Sequence, residues 1–204
     1  MLFDDTYQTL KETSEGIYRE KGSKFIAYAY PIRQEAEVKN ILANLRIAHP
    51  KARHFCWAFR LTPDRTIFRI NDDGEPSGTA GRPILNTLLS ADITNVLMIV
   101  VRYFGGTLLG VPGLINAYKN ASVLAIQENT IVTNSVKDGY ELSFGYAVMN
   151  DVMKIIKDEQ LPILHQEFDN HCLIKMEVRK AQLPVVLSKF EKIPSVKLKY
   201  LFTS

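Results

Sequence analysis

Short apolar segments alternate with glycine-punctuated polar loops along this chain, and the spacing of the apolar positions changes from one segment to the next. Residues 7–12 (YQTLKE) and 23–31 (SKFIAYAYP) have strand character, with Gly16 and Gly22 marking breaks near their connection. In the second run Phe25, Ala27 and Ala29 share one face, and Ile26, Tyr28 and Tyr30 share the other. Over 34–48, Ala36, Ile41, Leu42, Leu45 and Ala48 recur at three- and four-residue steps, which predicts a helix limited by Pro50. HFCWAFRL (54–61) and RTIFRIN (65–71) flank Pro63-Asp64 and read as a hairpin. A second helix is predicted from near Pro83 through ILNTLLS, because proline in a first helical turn loses no needed N–H. Residues 94–103 are almost wholly apolar and β-branched, as a central buried strand requires. Pro112 opens a long helix to about residue 128, with Leu114, Ala117, Tyr118, Ala121, Leu124 and Ala125 on its apolar stripe.

A boundary falls within 130–138, so two domains are expected, 1–134 and 135–204. Beyond it the pattern is simpler. Residues 140–146 are strand-like and 147–160 helical. Residues 163–168 and 172–179 form a hairpin around Asp169-Asn170, 181–193 are helical, and 196–202 are a last strand. That order, β-α-β-β-α-β, is the split βαβ arrangement of ferredoxin-like domains.

Composition changes this picture little. The chain has 204 residues, 46% hydrophobic and 23% charged, ordinary values for a globular protein. A net charge of +3 permits nucleic-acid binding without demanding it, and neither half is an obvious basic arm. With only Cys56 and Cys172, the chain is not a disulfide scaffold, and a reducing cytoplasmic setting is expected. The N-terminus lacks the apolar run of a signal peptide, and VLMIVV (96–101) is too short to cross a bilayer.

Candidate chemistry concentrates in NDDGEPSGTAGRP (71–83) and VVRYFGGTLLGVPG (100–113). Glycine-rich loops allow a run of backbone amides to cradle an anion, and arginine adds a planar fork suited to phosphate. Gly105 and Gly110 have P-loop spacing, but Val111-Pro112 stand where the phosphate-reaching lysine belongs, which nearly excludes that site. An EF-hand fails because glycine comes too early and Arg82 takes the twelfth position counted from Asn71. Asp72, Asp73 and Glu75 are better read as supports that fix Arg82 or Arg102. His54 and Cys56 share a strand face, yet neither a zinc set nor a nucleophile pair is convincing there. Lys21, Lys24, Arg53, Arg60 and Arg102 interleave with Phe25, Tyr28, Trp57 and Tyr103, a mixture that either grips a nucleic-acid strand or builds a core.

KGSKFIA (21–27), AHPKARHFCWAFR (48–60), NDDGEPSGTAGRPIL (71–85) and VVRYFGGTLLGVPGLINAY (100–118) together resemble the IMPACT family, in its bacterial YigZ-like branch. The resemblance implies an α+β protein. Its N-terminal βαβ domain would be of the kind found in a small-subunit ribosomal protein and in domain IV of elongation factor G, and its C-terminal domain ferredoxin-like. It also implies a link to translation, with RNA or the ribosome as partner and no settled enzymatic activity. Eukaryotic members add an N-terminal protein-interaction domain, whose regulatory role is not expected here.

The residues expected to contact nucleic acid or phosphate are Lys21, Ser23, Lys24, Arg53, His54, Ser77, Gly78, Thr79, Arg82, Arg102, Gly105 and Gly106, with Asp72, Asp73 and Glu75 as supporting carboxylates. No cofactor, metal or catalytic residue is expected. Arg82 and Arg102 are expected to point into one open pocket, so that Arg102→Ala weakens RNA binding without unfolding the protein. The competing expectation is a metal-assisted phosphate-handling enzyme built on the same loops.

Overall fold

The computed structural model describes residues 5–204, which divide into two compact units. One spans Tyr7–Asn134; the other is Ser135–Ser204 with the described residues before Tyr7.

The larger unit contains β1 (Thr6–Leu10), β2 (Ser14–Glu20), β3 (Ser23–Pro31), α1 (Ala36–Ala48), β4 (His54–Leu61), β5 (Ile67–Asn71), α2 (Gly81–Ser90), β6 (Val96–Tyr103), α3 (Gly110–Gln127) and β7 (Ile131–Ser135). An antiparallel five-stranded sheet runs in the order β2-β3-β6-β4-β5, while β1 and β7 pair separately. Helices cover both sheet faces. Phe25, Ala27, Ala29, Cys56, Met98 and Val100 pack against apolar residues of α2 and α3. Ile26, Phe55, Phe59, Leu97, Ile99 and Val101 pack against Val38 and Leu45 of α1. This two-sided burial explains why β6 reads as an unbroken apolar run: both of its faces are core.

Two expectations about this unit need correction. Residues 14–20 are a full strand, β2, paired along its length with β3, and Gly16 sits inside it opposite Ala27. The glycine marks a close approach rather than a break. A Cβ there would lie 2.2 Å from the Ala125 amide nitrogen of α3. Likewise, the segment at the expected boundary carries a strand that was not expected there, β7 (Ile131–Ser135), which pairs with β1.

The smaller unit runs β8 (Lys137–Phe144), α4 (Met149–Asp158), β9 (Ile163–Phe168), β10 (Cys172–Arg179), α5 (Leu183–Glu191) and β11 (Lys197–Thr203). Its antiparallel sheet has the order β11-β8-β10-β9, the ferredoxin-like arrangement. Alternation sends Cys172, Ile174, Met176 and Val178 into a core with Val152, Ile156, Val186 and Phe190. The alternate positions carry charges that pair with one another, Lys137 with Glu177 and Lys175 with Glu141. No helix among the described residues is long and apolar enough to cross a membrane.

Candidate functional site

Register gathers the candidate loops at one end of the five-stranded sheet. Phe25, Arg102 and His54 form one cross-strand row, and Lys24 and Tyr103 pair in the next. Beyond that row lie the β2–β3 turn, the approach to β4 and the loop after β6. Lys21 and Gly22 form a two-residue hairpin turn in which both have positive φ (44° and 81°), as the primed turns require. That turn touches the loop after β6 directly. The Ser23 hydroxyl accepts a hydrogen bond from the Gly105 amide at 3.1 Å, and a Cβ on Gly105 would meet the Gly22 carbonyl carbon at 1.9 Å. Gly105 is therefore required for two backbones to pass in contact, as the glycine-rich pattern suggests.

The loop between β5 and α2 is held by its own acids. Asp72 accepts hydrogen bonds from the amides of Gly78, Ala80 and Gly81 at 2.9, 3.1 and 2.8 Å, so the protein's own carboxylate fills the N-terminal anion position of α2. Asp73 accepts from the Phe55 amide at 2.7 Å and pairs with Arg46 at 3.1 Å. The Asp73 carbonyl oxygen lies 2.9 Å from His54 Nδ1, which makes that nitrogen the protonated one. Glu75 turns inward to Arg102 at 2.5 Å and also accepts from the Tyr118 hydroxyl at 2.8 Å.

This last contact corrects the expectation of a shared arginine pocket. The Arg102 and Glu75 side chains are only 6% and 4% exposed, so the Arg102 guanidinium does not face solvent. The physical reason is strand alternation: Arg102 follows Val100 on the α2/α3 face and points under the 72–80 loop. It also lies over the Phe25 and Phe104 rings, at 5.4 and 5.6 Å. The loops at 71–83 and 100–113 do meet, but through a buried ion pair. Arg82 is exposed and lines a separate groove between α2 and α3. Thr79 and Ser23 are buried too; the Thr79 hydroxyl donates to the Pro76 carbonyl. Lys21, Arg53, Ser77, Gly78, Gly105 and Gly106 are exposed, with Lys24 and His54 half-buried.

The acids thus hold neighbouring backbone and side chains. Among the described residues no group of three or more His, Cys, Asp and Glu side chains is arranged to hold a metal ion. Cys56 shares a face with His54 but contacts other groups, its Sγ lying 3.0 Å from the Asp72 carbonyl oxygen and 3.2 Å from the Tyr118 hydroxyl. Burial pushes this thiol well above its ordinary value; the Tyr118 hydrogen bond offsets part of that, and the Glu75, Asp73 and Asp72 charges raise it further. Burial likewise raises Tyr118, reinforced by Cys56 and Glu75. Thiolate is the reactive form, and both cysteines are buried. In the native protein at pH 8, therefore, neither thiol should react with Ellman's reagent at less than about a thousandfold reduction from the rate in urea. A fast stoichiometric reaction without denaturant would contradict the buried chain Cys56–Tyr118–Glu75–Arg102.

One cluster had no distinct sequence signal. On the α1 face, His49 lies between Tyr28 and Tyr103, with ring-nitrogen to hydroxyl distances of 2.9 and 2.8 Å. Burial first, then Glu15, pushes Tyr28 up to about 12, so it stays a neutral hydroxyl. Only the pairing of β3 with β6 brings these rings together, and a lone histidine after a predicted helix does not reveal it.

Comparison with known proteins agrees with the motifs. The family model of the Impact N-terminal domain matches residues 21–126. A Haemophilus influenzae IMPACT family member is 33% identical over 150 residues, covering 72% of this chain and 73% of the relative. Escherichia coli YigZ is 28% identical over 165 residues, covering 80% and 81%. The crystal structure of a hypothetical protein superposes on 97% of this chain and 98% of its own, with a TM-score of 0.77 and 25% identity. With its signature loops, its domain match and relatives aligned over about three quarters of their length in agreement, this chain belongs to the IMPACT family, in the YigZ-like bacterial branch.

Proposed function

We propose that this protein binds RNA, on its own or within the ribosome, as a non-catalytic factor acting in translation. The observation that carries this reading is the placement of Lys21, Lys24 and Arg53 at one end of the sheet, where the exposed Gly105–Gly106 segment meets the β2–β3 turn. Cations on short loops anchored to a rigid sheet suit a phosphate backbone, which supplies most of the affinity in sequence-independent binding. Arg82, also exposed, lines the separate groove between α2 and α3 and takes no part in this contact. The link to translation rests on the resemblance of the loop motifs to the IMPACT family.

The recognition is of backbone charge more than of stacked bases. Phe25 is fully buried, Trp57 stacks on Phe59, and Tyr28 and Tyr103 are tied to His49. The ring this end of the sheet offers to solvent is Phe104, at 50% exposure.

The test is a titration with structured RNA over a range of salt. A Lys21→Ala, Lys24→Ala, Arg53→Ala variant should lose about 10- to 100-fold in affinity at low salt. The slope of log affinity against log salt should fall by about two to three, since each phosphate contact contributes about 0.7–0.9. All three side chains are at least partly exposed, so the fold should survive the change. Absence of RNA binding at low salt together with no ribosome co-sedimentation would defeat the reading, as would an unchanged slope in the variant.

A further inference from the structure

We propose that the groove between α2 and α3 is a binding site for a small amphipathic anion, an aliphatic body ending in a carboxylate. The groove encloses about 520 Å³, within the roughly 300–1,000 Å³ range of small-molecule sites. Its walls follow from helical spacing. On α3, Ile115, Lys119 and Val123 succeed one another at four-residue steps, with Ile126 below them, while Leu114, Ala117, Tyr118 and Ala121 point to the sheet. On α2, Pro83 lines the groove, whereas Ile84, Leu85 and Leu88 enter the core. Helix α3 therefore carries a second apolar stripe beside its core-facing one: Ile115 and Val123, continued outward by the exposed Val111, lie off the core, and only its lower end, Ile126, also packs against it.

Charge selects the occupant. Arg82 and Lys119 line the groove, both exposed, and neither forms an ion pair among the described residues. Among the described residues, no acidic side chain lines the groove. An apolar floor with two cations fits a ligand that is apolar along its body and anionic at one end. RNA fits poorly, because a phosphate backbone gains nothing from the apolar floor of Pro83, Ile115, Val123 and Ile126. A protein partner would need about 800 Å² on this side, more than a compact groove of this kind offers. The inference goes beyond the RNA reading and requires none of Lys21, Lys24 or Arg53.

The test uses octanoate, octanol and acetate as probes in titrations of the isotope-labelled full chain, followed by amide resonances of α2 and α3. Octanoate should give saturable shifts in the groove, octanol should bind about five- to tenfold more weakly for want of a charge-assisted contact, and acetate should not saturate. An Arg82→Gln, Lys119→Gln variant should bring octanoate down to the affinity of octanol and leave octanol unchanged. Val123→Trp should weaken both ligands by filling the floor. If that substitution disturbs folding, the glutamine pair at two exposed positions still decides the matter. Equal affinity for octanoate and octanol in the native protein, acetate binding as well as octanoate, or no saturable shift would each overturn the proposal. Because no RNA enters the experiment, failure here leaves the RNA reading to its own test.

Discussion

Arg102→Ala is expected to destabilise the protein by about 3–5 kcal/mol, rather than to act as a clean binding variant. The substitution removes one half of an ion pair whose two side chains are 6% and 4% exposed. The surviving Glu75 carboxylate would keep only the Tyr118 hydroxyl in place of a 2.5 Å contact with a cation. Uncompensated buried charge, more than the lost attraction, sets the size of the effect. Losing the guanidinium also removes the group lying over Phe25 and Phe104. The measurement is urea unfolding of Arg102→Ala, Glu75→Gln and Arg102→Met with Glu75→Gln together. The double variant should be more stable than the two single effects predict, because a neutral pair leaves no buried charge and glutamine can still accept from Tyr118. A loss below about 1 kcal/mol for Arg102→Ala, or strict additivity in the double variant, would show that the pair contributes little.

The same geometry shows what the sequence could and could not reveal. The β-α-β-β-α-β order after residue 135 was legible because each apolar period there matches one element and polar turns separate them. The glycine-rich loops were legible as places where backbones approach closely, and Gly105 against Gly22 shows such an approach. The direction of Arg102 was harder to read. Parity along β6 puts it with Val100, but only the path of the 72–80 loop decides that Glu75 meets it. Asp72 likewise read as a support for arginine, and instead it caps α2, because the amides of 78–81 lie nearer than any guanidinium. The second apolar stripe of α3 was hidden by the first, since Leu114, Ala117, Tyr118, Ala121, Leu124 and Ala125 already complete one helical face, and Ile115 and Val123 lie off it with Lys119 between them.

Gly16→Ala is expected to be, with a methyl at Gly105, one of the most damaging single-methyl changes in the larger unit, costing about 3 kcal/mol or more and lowering Tm by about 10 °C. A Cβ at this position would stand 2.2 Å from the Ala125 nitrogen, 2.7 Å from the Leu124 carbonyl carbon and 2.9 Å from the Ala121 carbonyl oxygen. All three are backbone atoms of α3, so no side chain can rotate away. Strand and helix cannot simply part, because the Ser14 hydroxyl donates to the Ala125 carbonyl at 2.6 Å and Asn129 donates to Ser14 at 2.8 Å. Moving α3 outward would break these bonds and open the core around Phe25 and Tyr118, which pack edge to face at 5.1 Å. It would also pull Tyr118 from Glu75, so the damage reaches the buried ion pair beneath the candidate RNA-binding loops. Gly145→Ala is the matched control. A Cβ there meets nothing within 4 Å and the residue has an extended backbone, so the change should stay within about 0.5 kcal/mol. Unfolding curves of the two variants should therefore separate widely, and a Gly16→Ala protein as stable as the Gly145→Ala control would mean that α3 does not lie on β2 at this distance.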